Sequence, residues 1–130
     1  MSKKTKFEWL DRALSFGPRY TLCLSKEEYQ QALDQVEVTD DIGQWAPKSG
    51  ARTHTVYDSN MSCIVCMNGS QNATPIEIAG LLVHEAVHIW QAHCEDIGEE
   101  NPGKEQEAYA IQAISQELMY EYSRRIYGRT

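Results

Sequence analysis

One stretch limits what this chain can fold into more than any other. It is the apolar run Ile76-Glu77-Ile78-Ala79-Gly80-Leu81-Leu82-Val83 leading into His84-Glu85-Ala86-Val87-His88. Thr74-Pro75-Ile76-Glu77 ahead of it has the form of a capping box with proline at the first helical position, and Gly98 supplies a stop. The segment therefore reads as one helix continuing past His88 to about Cys94, apolar on nearly all sides and so expected to be buried. His84 and His88 are then i and i+4, on one face and about 6 Å apart along the axis. Two imidazoles at that spacing can share one Zn²⁺ at about 2.0–2.1 Å from each nitrogen. Glu85 flanks the same face, too far round to be a comfortable ligand and well placed to take a proton from a metal-bound water. Paired histidines one turn apart also occur as ordinary solvated or hydrogen-bonded residues. Buried here, with a glutamate beside them, they would cost several kcal/mol unless something satisfied them.

A second helix is expected to follow, opened by Asn101 as cap and Pro102 at the first position. Glu107, Ile111, Ile114, Leu118 and Tyr122 step by four, three, four and four, which puts Glu107 on the core-facing stripe and Glu105 on the wet side. With a turn over Glu95–Glu100, the first helix runs about 9 Å beyond His88 and Glu107 lies about 8 Å into the returning one, nearly level with it. His84, His88 and Glu107 would then form a His₂Glu zinc site with its fourth position open to water, as in a catalytic centre.

The motif His-Glu-x-x-His, then eighteen residues, then Glu resembles the signature of the gluzincins, zincin metallopeptidases whose third ligand is a glutamate on the following helix. His-Glu-Ala-Val-His-Ile-Trp-Gln and Glu-Ala-Tyr-Ala-Ile-Gln also look like small zincin-like proteins of phages and prophages. The match spans Thr74 to Tyr120 and is silent on the first seventy residues. A metzincin is rejected, because that pattern needs Gly at position 91 and His at 94, where Gln91 and Cys94 stand. The resemblance implies a Zn²⁺-dependent peptidase with Glu85 as general base, acting on a peptide or protein substrate whose backbone adds to an edge strand beside the metal. Such enzymes often use a Tyr or His to stabilise the oxyanion. No motif identifies one, and Tyr57, Tyr109 and His54 remain open alternatives. Two rivals stand beside the peptidase reading: a zinc-stabilised binding or assembly protein, and a zinc hydrolase of a non-peptide amide.

The length of 130 residues suits one domain, 1–130. A net charge of −7 argues against nucleic acid as the main partner. Neither a signal-peptide core nor a membrane-length apolar run occurs, so a cytoplasmic protein without membrane partners is expected, of unspecified oligomeric state. Acidic residues gather at Asp34–Asp41 and around Glu95–Glu107, expected to be mainly solvated loops and helix starts. Cys63 and Cys66 lie in a strand-like run on opposite faces, so they cannot jointly grip an ion. These two, Cys23 and Cys94 are expected to be buried reduced thiols. His93 is expected at the surface near the helix end.

Along the chain, Phe7, Leu10 and Leu14 space a short helix over Thr5–Leu14, broken by Gly17-Pro18. Arg19–Leu24 reads as a strand, and Ser25–Glu28 as a capping box opening a helix to about Val36. A loop over Val38–Gly50 carries Trp45, either an aromatic clamp or an anchor to the core. Ala51–Tyr57 and Met61–Met67 pair as a hairpin. The expected fold is α+β: a minimal zincin-like domain with a small antiparallel or mixed sheet packed on the His-Glu-x-x-His helix, followed by an antiparallel Glu-bearing helix.

Overall fold

Met61–Met67 has no charged residue, and every side chain in it is buried. A strand of that kind needs cover on both faces, and it forms the third strand of a four-stranded sheet. The computed structural model describes residues 7–10, 18–36, 45, 50–57 and 61–128. Their elements, in chain order, are β1 (Trp9–Leu10), β2 (Arg19–Cys23), α1 (Lys26–Gln35), β3 (Ala51–Tyr57), β4 (Met61–Met67), α2 (Pro75–Ile97) and α3 (Lys104–Tyr127). The sheet order is β1-β2-β4-β3. β2 and β4 run parallel, with α1 and β3 between them in the chain, and the other two pairings are antiparallel. This is an α+β arrangement with a mixed sheet.

Strand alternation sorts the core into two layers. Tyr20, Leu22, Met61, Cys63, Val65 and Met67 face α2 and α3. Cys23, Val56, Ile64 and Cys66 face Tyr29, Ala32 and Leu33 of α1, with Trp45 packed alongside as an anchor. Cys63 and Cys66 thus point to opposite faces, and all four thiols are free and buried. Among the described residues, no helix is long and apolar enough to cross a membrane.

The chain start departs from its helical expectation. Within Thr5–Leu14 only residues 7–10 are described, and Trp9–Leu10 pairs with Thr21 and Tyr20 as β1. Phe7 and Trp9 lean on the α1 layer and Leu10 on the other, a period of two that competes with the three-and-four spacing. Most of the Val38–Gly50 loop lies outside the described residues.

A polar clamp ties the layers together at one end. Arg125 of α3 donates to the Leu22 carbonyl at 3.2 Å and to Glu28 of α1. Glu28 also receives the Leu24 amide at 2.8 Å. Glu121, 1% exposed, binds Arg124 at 2.5 Å. The guanidinium of Arg124 is held above its ordinary range mainly by that hydrogen bond, whereas burial pushes Arg125 down.

Candidate metal centre

α2 starts and stops as its ends dictate. Thr74 accepts from the Glu77 amide, Glu77 reciprocates to the Thr74 amide, and Gly98 closes the helix in a left-handed conformation at φ 73°. These bonds to the charged form hold the Glu77 carboxyl below its usual range. Ile78, Leu82, Ala86, Ile89 and Trp90 bury the helix against the sheet and α3. It is not buried all round, however: the two neighbours cover only part of its circumference, and Ile76 is 84% exposed.

The uncovered side carries the histidines. His84 and His88 are exposed, not buried as expected, and their Nε2 atoms face each other at 3.2 Å with the rings near perpendicular. Two nitrogens at 2.0–2.1 Å from one tetrahedral ion stand about 3.3 Å apart, so the pair has the separation two zinc ligands require. The same gap also suits one N–H shared between the rings. His88 Nδ1 lies 3.2 Å from Gln91 Oε1, an outer contact of the kind that orients a ligand imidazole.

Glu85 is the buried member, 2% exposed. One carboxylate oxygen accepts from the Thr53 hydroxyl of β3 at 2.8 Å, and the other lies 3.9 Å from His84 Nε2. The carboxylate is therefore gripped from the sheet and directed at the imidazole pair. Thr53 was absent from the sequence reading. The signal for it is the alternation of β3, which turns Ala51, Thr53 and Thr55 to α2 and His54 and Val56 to α1.

Glu107 is not brought to the imidazoles. Its carboxylate accepts from the Trp90 indole N–H at 2.8 Å. Among the described residues, no three His, Cys, Asp or Glu side chains converge in a way that could hold a metal ion. The reason lies at the helix ends. α2 runs on to Ile97, about 13 Å past His88, while α3 begins only at Lys104, leaving Glu107 about 5 Å into it. Both shifts move Glu107 towards the far end of α2. The expected cap is replaced too: Gly103 takes the cap position without a side-chain bond, and the Asn101 amide donates to Glu99 at 3.0 Å. The core stripe itself holds, with Ile114 and Leu118 fully buried and Glu105 exposed.

The remaining candidates lie elsewhere. His54 stacks on Tyr29 at 4.9 Å under α1, on the sheet face away from α2. Tyr109 is 67% exposed, and the side chain of Tyr57 is outside the described set. His93 is half-buried, its ring 5.6 Å from that of Trp90, because α2 continues a full turn beyond it. Cys94 is buried, and its thiol is pushed up by that burial and by Glu107 nearby.

The histidines border an open cleft between α2 and β3, an edge strand of the sheet among the described residues. Its walls include Arg52, Thr53, Thr55, Gln91 and Glu95. No protein-family model matches the chain, and no curated protein or solved structure matches it either.

Proposed function

We propose that this chain is a zinc-dependent hydrolase of peptide amide bonds, of the gluzincin type. The observation supporting it is the opposed imidazole pair with a buried, hydrogen-bonded carboxylate 3.9 Å from His84, beside β3, an edge strand among the described residues. His84 and His88 would hold the ion. Glu107 is the candidate third ligand; to join them it must give up its hydrogen bond to Trp90 and close an offset of roughly 8 Å along the helix pair. When bound, zinc supplies Lewis-acid polarisation of the carbonyl and makes a water more acidic. Glu85, fixed through Thr53, accepts the proton and delivers it to the leaving nitrogen. The β3 edge offers backbone groups to an extended substrate.

The experiment is a zinc and turnover comparison. Glu85→Gln is expected to keep zinc and lose hydrolysis, His84→Ala to lose zinc, and Glu107→Ala to weaken it. Zinc binding that survives Glu85→Gln without any change in activity towards peptides refutes the enzyme reading. The rival is a zinc-stabilised binding protein, favoured by one observation: the carboxylate expected to complete the site is already satisfied on the α2–α3 seam.

A further inference from the structure

The paired imidazoles offer zinc half of what it takes. Zinc in proteins is almost always held by four ligands in a tetrahedron. His84 and His88 supply two of them, their Nε2 atoms 3.2 Å apart. Among the described residues, no third His, Cys, Asp or Glu side chain converges with them. Glu107 accepts from Trp90, roughly 8 Å away along the helix pair. Glu95 shares the histidine stripe but lies two turns, about 10 Å, beyond His88. His93 rests against Trp90, and Cys94 is buried.

The pair itself is open to approach. The His84 side chain is 67% exposed, and His88 is exposed beside it. Whatever completes the tetrahedron can therefore come from outside the chain.

We infer that one zinc ion joins two copies of this chain, His84 and His88 of each copy completing a His₄ site on a two-fold axis. A two-fold axis through the ion repeats the same pair, so a second copy brings the two missing ligands at a spacing already present. The contact closes on itself and requires no further component. A different protein would need its own exposed imidazole pair at the same spacing. Charge opposes association without the ion, since each copy carries −7. The metal is then the bridge, and the metal-free chain is expected to stay single. A bridged ion has no corner left for water, so this form is closed, and hydrolysis belongs to the single chain with an open position. The inference rests on the zinc-binding part of the proposed function and does not require hydrolysis.

The test takes the full chain, stripped of metal, at micromolar concentration. Sedimentation velocity is expected to show a monomer without zinc and a dimer with half an equivalent of zinc, reversed by a chelator. X-ray absorption at the zinc edge of that dimer is expected to show four nitrogen neighbours at about 2.0–2.1 Å. His84→Ala and His88→Ala should each lose the dimer. Both side chains are exposed, so both variants are expected to fold, which far-UV circular dichroism checks. The absorption spectrum of the wild type decides the matter if they do not. Glu107→Ala, whose loss is felt where one chain holds one ion, is expected to dimerise as the wild type does, because the bridge makes no use of that carboxylate. One zinc per chain at unchanged mass overturns the inference and leaves the hydrolytic reading standing. A zinc shell of two nitrogens completed by oxygens overturns it too, as does a dimer that forms without zinc or survives both alanine substitutions. If the chain binds no zinc at all, this inference and the hydrolytic reading fall together.

Discussion

Replacing Thr53 by valine removes one hydroxyl and keeps the shape of the β3 side chain. The hydroxyl donates to Glu85 at 2.8 Å, and Glu85 is 2% exposed, so water cannot take over the lost bond freely. A hydrogen bond to a charged acceptor contributes about 1.5–3 kcal/mol, and a buried acceptor left short costs on that scale. With a urea m value of about 2 kcal/mol/M, the unfolding midpoint should fall by roughly 0.7–1.5 M. The same substitution made on Glu85→Gln removes a neutral bond instead, and its cost should drop to about 0.5–1.5 kcal/mol. The coupling between the two sites is then read from the four midpoints as a double-mutant cycle. A Thr53→Val midpoint unchanged in the wild type, or a cost equal in both backgrounds, refutes the argument that the sheet holds this carboxylate.

Other expectations concern the rest of the molecule. Glu121→Ala leaves Arg124 without its 2.5 Å partner and takes a carboxylate from beside buried Arg125; chemical denaturation should show a loss of about 3–5 kcal/mol. Burial pushes the Cys63 thiol up to about 11 from 9.0, and Cys66 is raised further by burial and by Cys23 beside it. A thiol whose folded pKa is raised stabilises the fold fully below the unfolded value and loses that contribution as pH rises. Denaturation midpoints should therefore fall between about pH 9 and 11, by on the order of 3 kcal/mol for Cys63 alone; a Cys63→Ser variant that keeps the same slope contradicts this. Titration with a disulfide reagent near neutral pH should find none of the four thiols until denaturant is added. If Glu107 leaves Trp90 for the ion, zinc should change tryptophan emission, and Glu107→Ala should abolish that change while weakening zinc binding at least tenfold; emission that stays constant on zinc binding argues against the exchange.

What could be read from the chain was local. Thr74, Glu77 and Gly98 define the ends of α2 because caps and left-handed stops act over a few residues. Alternation in Met61–Met67 placed Cys63 and Cys66 on opposite faces, and the hairpin with Ala51–Tyr57 followed from two strand-like runs a few residues apart. The stripe from Glu107 to Tyr122 was legible for the same reason. Contacts between distant segments were not. Thr53 and Glu85 are far apart in sequence, and nothing near either specifies the other. β1 was missed because Phe7, Leu10 and Leu14 suit a helix, while Phe7 and Trp9 suit a strand, and pairing with β2 decided it. Glu107 was expected beside His88 by adding helix lengths, and an early stop for α2 with an early start for α3 was enough to misplace it.

Arg125 joins a helix on one side of the sheet to a helix on the other, through a carbonyl of the strand between them. No layer of this small domain can therefore peel away alone without stripping a buried cation of its partners. Backbone amides in the last turns of α3 should exchange with deuterium on the same clock as those of α1. The histidine-bearing segment, docked on that shared frame, inherits a floor that opens all at once or not at all.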